Sequence, residues 1–208
     1  MLDITSQINL LAQNVHDLRE QKSRVLVAIA GAPGSGKSTL AAELGRRLRE
    51  QRCPNQVVPM DGFHLDNAVL DARGLRARKG APETFDAAGF LHAIKRLAAG
   101  EEVVMPVFDR PRDLAIAGAL VVPADCSIVI VEGNYLMFDE PPWDGLAPLW
   151  DMTVRLDVPM PELRARLIQR WLSLNLSRAA ATRRAESNDI PNAQRIIDKA
   201  ITCHLTLS

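Results

Sequence analysis

The chain is short of cysteine, tyrosine, lysine, long apolar runs and net charge, and each shortage excludes something. Cys53, Cys126 and Cys203 are odd in number, far apart and without a CxxC pair. They offer neither a disulfide framework nor zinc-ligand spacing, so they are expected as three buried small hydrophobes in a protein of the reducing cytoplasm. The 25 basic residues balance 25 acidic ones, which removes the basic footprint that nucleic-acid binding usually needs. No apolar run approaches the ~18 residues of a membrane span. Asp3, Asn14, His16, Asp17, Arg19 and Glu20 interrupt the first twenty residues, so neither a signal peptide nor a membrane partner is expected.

What is present is ordinary for a globular chain: 208 residues, 47% hydrophobic and 24% charged. At about 150 residues per domain this length suits one domain with insertions, taken as 1–208. The basic residues are lopsided, with 20 Arg against 5 Lys. Codon bias accounts for that without any function; otherwise some of these guanidinium forks grip phosphate, and position must decide.

Ile8, Leu11, Val15 and Leu18 recur at helical spacing, which predicts an amphipathic helix over about 4–21 within an N-terminal segment 1–22. Val25 to Ala30 is an unbroken apolar run ended by Gly31, the pattern of a parallel strand covered on both faces. Leu40, Leu44 and Leu48 mark the next helix, with Arg46, Arg47 and Arg49 near its end. A short strand at 57–60, a polar loop from 62 to 84 and a helix at 86–99 follow. Strand pieces come at 103–108, 114–122, 127–131 and 152–158, and an Arg-rich helix carries Leu163, Leu167, Trp171 and Leu174. Alternation of Ile201, Cys203, Leu205 and Leu207 predicts a closing edge strand. Strands alternating with helices make the chain α/β.

Gly31-Ala32-Pro33-Gly34-Ser35-Gly36-Lys37-Ser38-Thr39 fits the G-x-x-x-x-G-K-[ST] pattern in full, a match that ordinary composition produces roughly once in a hundred chains of this length. It lies between a buried strand and a helix start. There, glycines let backbone N–H groups turn around phosphate oxygens at the positive end of the helix. ATP and Mg²⁺ are the expected ligands, with Lys37 on the β- and γ-phosphates and the Ser38 hydroxyl on the metal. The chain has no Asn-Lys-x-Asp segment and no LSGGQ-like segment, and Asp71-Ala72-Arg73-Gly74 follows no convincing strand. A GTPase and an ABC-type ATPase are thereby disfavoured, and a two-lobed helicase needs a longer chain; a small kinase remains.

Asp61 ends the second strand, where the carboxyl ends of parallel strands face the ligand crevice. It is either a turn residue, since Asp-Gly is a common turn pair, or the group that takes the proton of an attacking hydroxyl.

Met60-Asp61-Gly62-Phe63-His64-Leu65-Asp66-Asn67 resembles the "DGF" segment of the P-loop kinase family that holds uridine kinase, phosphoribulokinase and pantothenate kinase. Lys79-Gly80-Ala81-Pro82-Glu83-Thr84-Phe85-Asp86 looks like its "KGxPExxD" segment, Pro106-Val107-Phe108-Asp109-Arg110 like its "PVYD" segment, and Val131-Glu132-Gly133 like its "VEG" strand end. The four fall in the family's order and, with the P-loop, cover residues 25 to 135. The resemblance implies a three-layer P-loop NTPase fold with a five-stranded parallel core and a helical lid, here about residues 160–187. It also implies Asp61 as base and Mg²⁺ near Ser38, Asp61 and Glu132.

Glu132 ends a buried strand, where a carboxylate can hold a metal or its water. His64, Asp109 and Arg110 are candidate substrate contacts, and Tyr135 a candidate wall of the acceptor pocket. Asp86 reads as a helix N-cap, and His16 and His92 receive no role. Arg166 and Arg170 share one helical face, away from the leucine stripe. The family's lid carries such arginines, which neutralise charge on the transferring group; Arg178, Arg183 and Arg184 are weaker candidates. Asn188 and Asn192 resemble the "N-x-x-x-N" segment of pantothenate kinases beside the nucleotide base, although such residues also simply make turns.

The acceptor is a small molecule. Uridine kinases carry, at the position corresponding to Gly80, an Asp that holds ribose hydroxyls, and this chain does not. It looks most similar to small bacterial family members associated with fructose transport, so a sugar is expected first, then pantothenate-like or nucleoside-like compounds. The competing reading is a P-loop ATPase that switches a protein partner. The N-terminal helix is left either to pack on the core or to seam a homodimer.

Overall fold

The computed structural model describes residues 4–208; residues 1–3 of the expected N-terminal segment lie outside them. Five strands build a parallel sheet in the order β2-β5-β1-β6-β7, namely Asn55–Pro59, Ile128–Gly133, Val25–Gly31, Met152–Leu156 and Leu205–Leu207. The central strand β1 is buried along its whole length. Its side chains alternate between two cores, as period-two geometry requires. Leu26, Ala28 and Ala30 join one cluster with Phe90, Ile94 and Leu97 of helix α4 (Ala87–Ala98). Val25, Val27 and Ile29 join another with Leu11 and Val15 of α1 (Ile4–Arg19) and Leu40, Leu44 and Leu48 of α2 (Lys37–Glu50). The amphipathic N-terminal helix therefore spends its apolar stripe on the chain's own core.

The strands at 25–31 and 128–133 are neighbours, with Ala28 opposite Val131 and Ile29 opposite Glu132. Pro59 at the end of β2 also pairs with Glu132. The first residues beyond β1, β2 and β5 thus leave the sheet at one edge.

The two strand pieces expected at 103–108 and 114–122 do not join the sheet. β3 (Val103–Asp109) and β4 (Leu114–Val122) form a separate antiparallel hairpin whose register slips between Met105 and Val107. Pro106 sits at the slip and has no N–H to give the ladder. The expected polar loop 62–84 contains helix α3 (Asn67–Ala72), capped by the Asp66 side chain accepting from Ala68 N and anchored by buried Leu70. Between β5 and β6 a three-ten segment, Trp143–Leu149, buries Trp143 and Leu146. Asp86 caps α4 by accepting from Gly89 N. The closing edge strand is confined to Leu205–Leu207 beside β6. Cys53 and Cys126 are buried as expected, but Cys203 is only half-buried, because the chain before residue 205 is not held in the sheet.

Beyond β6 the chain forms α5 (Met160–Ser173), α6 (Arg178–Arg184), a π-helical turn Ala185–Asp189 and α7 (Ile190–Asp198). Arg24, just ahead of β1, is buried and donates from its whole fork to five carbonyls, those of Leu97, Glu101, Pro123, Ala124 and Cys126, at 2.7–3.0 Å.

Candidate active site

The loop Gly31–Gly36 connects β1 to α2 and carries the residues expected to cradle phosphate. Gly34 and Gly36 have φ of 83° and 97°, conformations that an L side chain resists. Gly36 is the N-cap of α2 and supplies no side-chain acceptor. The first-turn N–H groups of Lys37, Ser38 and Thr39 are thereby left for an anion. Ser35 Oγ, buried within the loop, has no hydrogen-bond partner among the described residues. Ala32 and Pro33 complete the loop.

The other ends of the sheet supply carboxylates. Ser38 Oγ donates to Glu132 Oε1 at 3.1 Å, tying the first turn of α2 to the end of β5. Glu132 is 6% exposed. Burial pushes its carboxyl above the ordinary value; the Lys37 ammonium opposes this and the Asp61 charge adds to it. The same burial pushes the Lys37 ammonium down, against the pull of Glu132 and Asp61. Desolvation thus penalises both charged forms, and an additional anion for Lys37 or cation for Glu132 offsets it.

Asp61 lies in a three-ten turn, Met60–Phe63, directly after β2. A Cβ on Gly62 would stand 2.2 Å from the Pro106 carbonyl oxygen, so only glycine lets this turn lie flat against β3. Asp61 Oδ2 accepts from Arg110 Nη2 at 2.6 Å, across 49 residues of sequence. Arg110 opens the turn of the β3–β4 hairpin, and beside it Asp109 accepts from Arg112 N at 3.0 Å and pairs with that arginine.

His64 is clasped between Phe85 and Phe108, with ring centroids at 4.0 and 4.6 Å. Its Nδ1 lies 2.8 Å from the Asp61 carbonyl oxygen. A carbonyl only accepts, so Nδ1 carries the proton and the neutral ring keeps Nε2 as an acceptor. Burial pushes the His64 pKa below its ordinary value of 6.5, although Asp61 works against it. The folded state therefore takes up this proton less readily than the unfolded chain, so stability falls as pH drops from about 6.5 towards the lowered folded value. Urea midpoints across pH 7.5 to 5 are expected to fall less for His64→Gln than for the wild type, and parallel curves would overturn this.

The arginines expected on the lid differ. Arg166 Nη1 donates to the P-loop carbonyls of Gly34 and Ser35 at 3.0 and 3.3 Å, and the side chain pairs with Glu162. Arg170 makes no salt bridge among the described residues. Burial, and then the like charge of Arg110, push its guanidinium down, while Asp189 and Asp61 pull it up. Arg184 donates to Ala77 O and stacks on Trp171.

Two sets of expected contacts lie elsewhere. Tyr135 is not a wall of the cleft: it is fully buried, its hydroxyl donates to Gly80 O at 2.6 Å, and burial pushes the phenol pKa up. Asn188 and Asn192 are 4% and 5% exposed. Asn188 Nδ2 donates to Lys79 O at 2.9 Å, and Asn192 Nδ2 to Asn188 Oδ1 at 3.2 Å. Their amides join the π-helical turn to the 79–80 segment and turn no free edge towards a nucleotide base. Sequence reasoning missed the network of Lys79, Asn67 and Asp113 at the root of the hairpin; its one signal was a lysine within the quoted 79–86 segment.

Residues 26–183 match the Phosphoribulokinase / Uridine kinase family. The chain is 38% identical to the protein YggC of Escherichia coli (strain K12), over 84% of this chain and 73% of that one. It is 33% identical to a provisionally named uridine kinase of Schizosaccharomyces pombe, over 99% of this chain and 91% of that one. A crystal structure of a provisionally named fructose transport system kinase from Silicibacter sp. TM1040 superposes with a TM-score of 0.91 and 50% identity, covering 97% of this chain and 98% of that one.

Proposed function

This chain belongs to the phosphoribulokinase and uridine kinase family of P-loop kinases, and from that premise we propose that it transfers the γ-phosphoryl group of ATP to a hydroxyl of a small polar metabolite, a sugar first. The observation that carries the reading is the meeting, at the carboxyl ends of three adjacent strands, of a phosphate loop with Glu132 and, across the same cleft, Asp61.

The acceptor hydroxyl gives its proton to Asp61 as its oxygen bonds to the γ-phosphorus and the bond to the β–γ bridging oxygen breaks, releasing ADP. Lys37 holds charge on the β- and γ-phosphates. Arg170, a guanidinium that makes no salt bridge among the described residues, stabilises the charge that spreads over the equatorial oxygens. Arg166 braces the loop through the Gly34 and Ser35 carbonyls. His64 accepts an acceptor hydroxyl through Nε2, and Asp109 and Arg110 border the same pocket. The helices after residue 160 act as the lid that excludes water.

A hydroxyl and carboxylates are the oxygen donors that Mg²⁺ prefers, in a site completed by substrate phosphates. Ser38 and Glu132, already joined, fit that metal, with Asp61 across the cleft. When bound, it supplies charge neutralisation at the phosphates. A sugar acceptor is favoured by the fructose-transport designation of the relative that is 50% identical, and by glycine at position 80, where a ribose-holding carboxylate is missing.

The test is ADP release with Mg-ATP across fructose and other sugars, pentose phosphates, pantothenate, uridine and nicotinamide riboside. One compound is expected to raise turnover well above background, and Asp61→Asn to lower that turnover about a hundredfold or more. If no compound matters, and Asp61→Asn leaves basal hydrolysis untouched, the reading falls and an ATPase that switches a protein partner takes its place.

A further inference from the structure

Lys79 is a nearly buried ammonium, its side chain 9% exposed, and it has a complete set of partners. Nζ donates to Asn67 Oδ1 at 2.7 Å, to Asp113 Oδ1 at 2.8 Å and to the Asp113 carbonyl at 3.0 Å. It also stands 5.0 Å from the centroid of the Phe108 ring. Asn67 closes the circle by donating to Asp113 Oδ2 at 2.9 Å. Burial works to raise the Asp113 carboxyl, but the hydrogen bonds from Lys79 and Asn67 outweigh it and hold it below its ordinary value.

Each partner leads to the acceptor side of the cleft. Asp113 has φ of 53° and closes the hairpin turn by donating its N–H to Arg110 O; Arg110 is the residue whose side chain reaches Asp61. Phe108 is one of the two rings that clasp His64. The backbone of Lys79 is held from the opposite direction, since its carbonyl accepts from Asn188 in the turn after α6. Lys79 thus joins α3 and the hairpin through its ammonium, and the turn after α6 through its backbone carbonyl. None of its contacts reaches the phosphate loop.

We propose that Lys79 is the positioning residue of the acceptor side, setting Arg110 against Asp61 through Asp113 and Asn67 and setting His64 through Phe108. The inference rests on the reading of this cleft as an acceptor site. A misplacement of about 1 Å in such a constellation costs on the order of a hundredfold, and networks of this kind lose more than one bond when one member goes.

The test compares Lys79→Met, Asp113→Gly and Asp113→Asn. Asparagine tolerates the left-handed backbone and keeps a side-chain oxygen for Lys79; glycine keeps the turn and its carbonyl and removes the carboxylate from both Lys79 and Asn67. Lys79→Met and Asp113→Gly are each expected to raise the acceptor KM, or lower kcat, about tenfold or more. Mg-ATP affinity by calorimetry should stay within about twofold, Asp113→Asn should recover most of the loss, and the double variant should be no worse than either single one. Amide hydrogen exchange across residues 103–122 should quicken in the two damaging variants. Equal losses of nucleotide affinity, unchanged acceptor constants, or unchanged exchange in the hairpin would overturn the proposal. If the wild type phosphorylates nothing in the panel, the functional reading falls by itself, and hairpin exchange still decides the clamp. If Lys79→Met does not fold, the two Asp113 variants carry the test.

Discussion

Lys37→Met is expected to abolish acceptor phosphorylation, lowering turnover by roughly 10³- to 10⁵-fold, the range supplied by a cation placed on a transferring phosphoryl group. At 1.36 kcal/mol per decade this is about 4–7 kcal/mol of transition-state stabilisation. Methionine keeps the length and the apolar stem, so the loss belongs to the charge. The fold should survive, because burial already works against the charged lysine and its removal relieves that penalty. What changes locally is Glu132, which loses the ammonium that opposes the rise of its carboxyl. Lys37→Arg should not rescue: a planar fork does not reproduce a compact ammonium in a loop of this width. The measurement is single-turnover phosphoryl transfer at saturating Mg-ATP with the acceptor found in the panel, beside thermal unfolding. Activity within tenfold of the wild type would remove Lys37 from the chemistry.

The largest effect on stability is expected at Arg24, far from the cleft. All five of its donors are spent on carbonyls from three segments: the end of α4 and the turn after it, the 123–124 corner, and Cys126. Among the described residues no carboxylate pairs with it; its counter-charge is the sum of carbonyl dipoles, including one at the negative end of α4. Arg24→Met takes a charged donor from all five carbonyls, of which Leu97 O and Pro123 O keep a backbone N–H, from Gly100 and Cys126, and a loss of about 3–5 kcal/mol follows, as for other buried charged hydrogen-bond networks broken from one side. Arg24→Lys retains the charge but only three donors, so it should fall between. Urea unfolding of the three proteins checks the order, and a loss under about 1 kcal/mol for Arg24→Met would refute the account. The activity of the folded fraction should be unchanged, which separates this variant from Lys37→Met.

Much of this protein could be read from local signals. The apolar run at 25–30 and the glycines that follow it specify a strand, a turn and a helix start by their own stereochemistry. The phosphate loop therefore stands where residues 31–39 predict it. The family segments around Asp61, Asp86, Asp109 and Glu132 each stand at an element boundary: after β2, at the N-cap of α4, at the end of β3 and near the end of β5. Helix and strand periods located the two cores, since β1 and α2 advertise their buried faces in sequence. The N-cap role of Asp86 followed in the same way, being decided within three residues.

Partner choice across the chain was not readable. Asp61 and Arg110, 49 residues apart, meet because Gly62 admits the Pro106 carbonyl and the hairpin leaves the main sheet. Tyr135 and the Asn188–Asn192 pair looked like ligand contacts because their residue types suit that use; the fold instead spends their polar atoms on Gly80, on Lys79 and on each other. Arg24 and Lys79 carried no signal of their burial, since a lone basic residue beside a strand or in a polar loop reads as solvated. The sequence by itself determined the phosphate cradle, the α/β order and the kinase family, because these depend on short-range backbone geometry and on motifs in register. Only the tertiary structure decided which polar groups satisfy one another and which remain free to face the cleft, because a buried hydrogen bond depends on where distant segments come to rest.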